Sequence, residues 1–108
     1  MSLADVEATQ DGTAVSLVVT GEIDLTNWAS VGDRINAEIS NHTTAVTADL
    51  SAVTYLDSSG LRLLFKLAER LSLLQVGLTL IVPESSASRL AIRLSGLDQE
   101  VEVRPPLS

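Results

Sequence analysis

Cysteine is absent from the chain and histidine occurs once, at His42. Without thiols there is neither a disulfide framework nor a thiolate metal site, and one imidazole cannot assemble the usual zinc ligand sets. Redox and zinc chemistry are therefore not expected, and no cofactor is. Aromatic residues make up 3% of the chain, one each of Trp, Tyr and Phe. That is too few to stack along bases or sugars, and it leaves the core to aliphatic side chains. Basic residues number 7 against 14 acidic ones, a formal net charge of -7. Such a balance disfavours nucleic acid and anionic lipid, which select basic surfaces, and suits a basic protein partner. No run approaches the ~18 apolar residues of a membrane-crossing helix, and Met1-Ser2-Leu3-Ala4-Asp5 lacks the basic start and apolar middle of a signal peptide. A cytoplasmic protein without direct membrane binding is expected.

What is present has the proportions of a globular chain, 45% hydrophobic and 19% charged in 108 residues. That length makes one domain around one core. The expected domain spans 1–108, with its ordered part from about residue 4 to 103 and a loose tail over 104–108. Alternation in Val15-Ser16-Leu17-Val18-Val19, after the turn-forming Gln10-Asp11-Gly12-Thr13, predicts a strand paired in a hairpin with a shorter one over 4–9. Trp28, Val31, Ile35 and Ile39 recur at helical steps behind Thr26 as cap, and are expected in the core. Residues 44–50 read as a strand, with Ser51-Ala52-Val53-Thr54 as a connection. A helix over 59–75 follows, with Leu61, Leu64, Phe65, Ala68 and Leu71 as its core stripe and Leu63, Leu67 and Leu74 widening it. The apolar run 78–82, closed by Pro83, predicts a central strand buried between helices. A helix from Ser86 with Leu90, Ala91 and Leu94 inward, ending at Gly96, and a weak strand at Val101 and Val103 complete the chain. This order is that of a small α/β domain: a mixed β-sheet with an N-terminal hairpin, followed by alternating helices and strands.

In such sheets partners and ligands meet the loops at the carboxyl ends of the strands. Here these are Gly21-Glu22-Ile23-Asp24-Leu25-Thr26, Leu56-Asp57-Ser58-Ser59-Gly60 and Pro83-Glu84-Ser85-Ser86. They are expected to gather Glu22, Asp24, Asp57 and Glu84 around Ser58, an acidic rim about a hydroxyl at a helix N-terminus. Taken by itself, Ser58 reads as a plain helix cap, the commonest use of serine at that position. As a nucleophile it lacks a G-x-S-x-G elbow, and His42 falls before a strand, at the opposite edge. An enzyme is not expected. A phospho-aspartate receiver is also disfavoured, because Lys66 is the only lysine and sits mid-helix, leaving none after the strand 78–82.

The motifs Gly21-Glu22-Ile23-Asp24, Asp57-Ser58-Ser59-Gly60-Leu61 and Leu94-Ser95-Gly96-Leu97-Asp98, in that order and spacing, resemble the STAS domain of bacterial anti-sigma-factor antagonists over residues 4–103. The resemblance implies a partner-switching protein in sigma-factor regulation. Unphosphorylated, it would bind an anti-sigma factor that is also a serine kinase, and phosphorylation of Ser58 would end that binding. A cognate serine phosphatase is the further partner implied, and ATP and magnesium would belong to the kinase. Asp24 matches the acidic residue beside the phosphoacceptor. Glu22, Asp57, Ser59, Gly60, Arg62 and Glu84 complete the implied partner surface. Two departures stand out: Arg62 replaces a residue that is small in many relatives, and Thr26-Asn27-Trp28-Ala29 lacks a proline common in that loop. The alternative within the same family is a constitutive interaction subunit of a transporter or scaffold complex, with no phosphorylation cycle.

Overall fold

Turn chemistry at Gly12, whose φ of +62° suits a residue without Cβ, closes a hairpin between β1 (Ala4–Asp11) and β2 (Ala14–Ile23). This computed structural model describes residues 3–107. Met1, Ser2 and Ser108, the ends of the expected 1–108 span, lie outside the described residues. The chain continues through α1 (Trp28–Ala37), β3 (Ala45–Leu56), α2 (Ser58–Leu73), β4 (Gly77–Ile81), α3 (Ala87–Ser95), a short 3-10 turn over Leu97–Gln99 and β5 (Glu102–Arg104). Among the described residues the strands form one five-stranded sheet in the order β1-β2-β3-β4-β5, antiparallel at the hairpin and parallel thereafter. The mixed α/β sheet with an N-terminal hairpin is thus as expected.

Each crossover steps one strand in the same direction. Since strand–helix–strand crossovers are right-handed, a constant direction puts every helix on one face of the sheet. Burial follows this rule. Val15, Leu17, Val46, Ala48 and Leu80 are buried in one cluster with Val31 and Ile35 of α1, Leu64 and Leu67 of α2 and Ile92 of α3. Their strand neighbours Ser16, Thr47 and Thr79, paired across the other face, are exposed or half-buried. The core is aliphatic, and Trp28, Tyr55 and Phe65 all stay outside its fully buried part. Trp28 was expected inside; it is half-buried at the start of α1.

Several expectations are corrected by this geometry. The strand over 78–82 is β4, fourth of five and covered on one face, so its continuous apolar run is only partly used. The centre is β3, which does not stop at Leu50. Ser51-Ala52-Val53-Thr54 continue it, because Thr20↔Ala52, Gly21↔Val53 and Glu22↔Tyr55 keep pairing across two register irregularities. The stripe of α2 is rotated by about one residue: Gly60, Leu63, Leu64, Leu67 and Leu71 are buried, Leu61, Phe65 and Ala68 are partly so, and Leu74 is exposed. In α3 the buried pair is Ser88 and Ile92, one turn apart, while Leu90 and Leu94 face out, Leu94 77% exposed. Arg104, placed in a loose tail by sequence, pairs in β5 and lies 2.8 Å from Glu102.

Candidate functional site

Register decides which loops meet. Ile23 pairs with Leu56, and the Asp57 amide donates to the Ile23 carbonyl at 3.4 Å. Asp24 and Asp57 therefore leave adjacent parallel strands side by side. The β2–α1 turn is built locally. The Asp24 carboxylate accepts from the Thr26 amide at 2.9 Å and the Thr26 hydroxyl at 2.5 Å, a short-range turn of the kind Asp favours. Those two donors hold its carboxyl below the usual range. Asn27, buried, accepts from the Asp24 amide at 3.0 Å and donates to the Glu22 carbonyl at 2.8 Å. Thr26 was expected to cap α1. Asn27 stands at the cap instead, and its side chain makes no capping bond because it ties the turn behind it.

At the next strand end, the expected cap is again displaced. Asp57 caps α2, its carboxylate accepting from the Ser59 amide at 2.8 Å and the Gly60 amide at 3.2 Å. Ser58 is the first residue of the helix, exposed, and among the described residues its hydroxyl is held by no hydrogen bond. The plain-cap reading of Ser58 is overturned, because a neighbour already satisfies the amides it would serve. Ser59 is half-buried at the second position.

Gly60 is buried, and a Cβ there would stand 2.3 Å from Leu56 Cδ1 and 3.3 Å from Ile23 Cγ2. It seats the first turn of α2 on both strand ends. Glu22 is half-buried within β2, beside the turn. Glu84 is exposed but leaves the sheet elsewhere: the last pair of β4 sets Ile81 opposite Asp49, and β3 runs on to Leu56 before its loop. The structure brings together Asp24, Asp57 and Ser58, with Glu22 adjoining, and sets Glu84 at a different height.

Arg62 follows Ser58 by one turn of α2. Its guanidinium carbon lies 5.8 Å from the Trp28 ring centroid, and the Lys66 ammonium 5.3 Å from the same ring, within cation–π range. This stack was missed in the sequence. The spacing of Arg62 and Lys66 was legible there, but Trp28 was assigned to the core and so hid its second role. His42 lies exposed before β3, at the far end of that strand from Ser58. The site can thus present a free hydroxyl among carboxylates, with no histidine placed to activate it.

The STAS-domain family model matches residues 5–108. The anti-sigma-F factor antagonist RsfB of Mycobacterium tuberculosis is 37% identical over 93 residues, covering 85% of this chain and 73% of its own. A crystal structure of an anti-sigma factor antagonist from Mycobacterium paratuberculosis superposes with a TM-score of 0.86 at 29% identity, over 96% of this chain and 87% of that one. The unphosphorylated anti-sigma factor antagonist SpoIIAA shares the fold, with a TM-score of 0.72 at 16% identity over 95% and 90% of the two chains.

Proposed function

The chain belongs to the STAS-domain family, and on that premise we propose that it is an anti-sigma-factor antagonist acting by partner switching in the cytoplasm. Unphosphorylated, it binds an anti-sigma factor that is also a serine kinase; phosphorylated on Ser58, it is released, until a cognate serine phosphatase restores it. It is a regulatory binding protein, and the chemistry is done by its partners. The observation that carries this reading is the Ser58 hydroxyl, exposed at the first position of α2 while Asp57 does the capping. In the transfer step the Ser58 oxygen bonds to the terminal phosphorus of the kinase's ATP, ADP leaves, and the hydroxyl proton passes to a base of the kinase. Both ATP and magnesium belong to that partner.

Release follows from electrostatics. A helix N-terminus ordinarily welcomes an anion, but here the Ser59 and Gly60 amides are already taken by the Asp57 carboxylate. The phosphate, carrying about -1.5 to -2 charges at neutral pH, is left among Glu22, Asp24 and Asp57 within the surface the partner must cover. Desolvation and like-charge repulsion there are expected to cost about 2–4 kcal/mol of binding, roughly 30- to 1000-fold. No change of fold is required.

Co-purification of the tagged protein identifies the partners. Incubation of the retained kinase with ATP should then label the parent and Ser59→Ala but not Ser58→Ala. A fully labelled Ser58→Ala would overturn the assignment. Absence of phosphate on Ser58 in native cells under every growth condition would instead favour the constitutive-subunit reading.

A further inference from the structure

Arg62, Lys66 and Arg70 stand at intervals of four on α2, forming a row about 12 Å long that holds three of the chain's seven basic side chains. Among the described residues the ion pairs with carboxylates are Arg34 with Asp5 and Arg104 with Glu102. None of the row is neutralised in this way. Arg62 and Lys66 rest on Trp28, and Arg70 donates to Asn36 of α1. Beside Lys66 and Arg70 a groove of about 260 Å³ runs between α1 and α2, floored by Trp28, Ile35, Leu63 and Leu67, with Arg62 reaching it only through Trp28. At its outer end Leu73, 79% exposed, borders Lys66 and Arg70.

We propose that this α1–α2 groove docks an acidic amphipathic helical segment of a protein partner, with apolar side chains on the groove floor and carboxylates against the row. Carboxylates four residues apart on a helix repeat every ~6 Å along its axis, the spacing of the three cations. Two carboxylates border the surface. Asp33 lines the α1 side of the groove and Glu69 lies on α2 beside Leu73. Asp33 repels an acidic face from α1 and so turns it toward α2, which fixes the orientation. A second copy of this chain does not supply such a segment: α1 holds only Asp33, α2 only Glu69, and α3 no acidic residue. Nucleic acid is disfavoured by the overall charge of -7. The inference goes beyond the Ser58 reading, because nothing in the groove requires phosphorylation.

Trp28 is the only tryptophan, so its fluorescence reports directly on the groove. The probe is a blocked peptide of about 20 residues, longer than the ~12–15 below which isolated helices are marginal, lacking Trp, with Leu and Phe on one face and Glu at successive i, i+4 positions beside it. Saturable binding to the parent is expected. It should be weakened about tenfold or more by Lys66→Glu with Arg70→Glu, and several-fold by raising salt from about 0.05 to 0.5 M. Ser58→Ala should bind like the parent, and chemical-shift mapping should place the probe on α1 and α2. Lys66→Ala, at an exposed position, repeats the test without charge reversal and should weaken binding in the same direction. Any of the following overturns the proposal: no saturable change up to about 1 mM probe, equal binding of the peptide with Lys for Glu, indifference to the Lys66 and Arg70 changes, loss on Ser58→Ala, or shifts confined elsewhere.

Discussion

Two neighbouring side chains at the first turn of α2 divide the work between them, and each can be tested alone. Asp57 accepts the amides of Ser59 and Gly60, so Asp57→Ala should lower stability by about 1 kcal/mol, some 4–8 °C in melting temperature for a domain of this size. Ser58→Ala removes an exposed, unbonded hydroxyl and should stay within about 0.5 kcal/mol. Equal losses in thermal melts would return Ser58 to a structural role. Asp24 has a depressed folded-state pKa caused by Thr26. Its contribution is therefore complete above the ordinary value of 3.8 and is lost as pH falls through the depressed one. Asp24→Asn keeps an oxygen for Thr26, so neutral-pH melting should hardly move, this part of the acid dependence should flatten, and partner binding should weaken. Arg62 supplies a further readout. Lying one turn from Ser58 and resting on Trp28, it can pair with a phosphate on Ser58. Phosphorylation should then shift Trp28 emission, and Arg62→Gly should abolish that shift.

Elements meet at a few positions where there is no room for a Cβ. Gly60→Ala would press on Leu56 and Ile23 at the seat of α2, with an expected cost of about 1–3 kcal/mol from overpacking. Because that seat aims Ser58, phosphorylation should fall with stability. At Gly21 the case is harsher, since its φ is +91° and a Cβ would stand 1.9 Å from the Leu3 carbonyl oxygen. Backbone cannot yield there as a side chain can, and Gly21→Ala should loosen β1 from β2. In α3, Ile92 is fully buried and Leu94 exposed. Chemical denaturation should show Ile92→Ala costing about 2–5 kcal/mol and Leu94→Lys within about 0.5 kcal/mol. The reverse order would mean that the inward face has been misassigned.

For the molecule as a whole, the charge of -7 is unevenly spread, with carboxylates at the joined ends of β2 and β3 and cations along α2. Binding of a basic partner surface at the acidic end should weaken with salt, mainly through the association rate. Phosphorylation adds charge of the same sign at that end, and release requires the cost of desolvating the phosphate among Glu22, Asp24 and Asp57 to outweigh its attraction to the basic partner. Calorimetry on the unphosphorylated and phosphorylated forms, with circular dichroism alongside, should find the affinity loss without a change in secondary structure. Equal affinities would sink the electrostatic switch.

Local rules sufficed for much of this protein. Hydrophobic periodicity located α1, α2 and α3, alternation and Gly12 located the hairpin, and scarce aromatics required an aliphatic core. The Asp57-Ser58-Ser59-Gly60 stretch was recognisable as the candidate site for the same reason: its residue types carry their chemistry in sequence. Pairing and packing settled the rest, because these depend on residues far apart in the chain. Only register against β2 shows that β3 runs through Ser51–Thr54 to the motif. Only the one-sided stacking of helices explains why a run as apolar as 78–82 lies next to an edge strand. In α3 the sequence pointed to Leu90, Ala91 and Leu94, whereas packing against the sheet buries Ser88 and Ile92 and leaves Leu90 and Leu94 outside. The cap passed from Ser58 to Asp57 because the folded turn aims one oxygen, and not its neighbour, at the free amides.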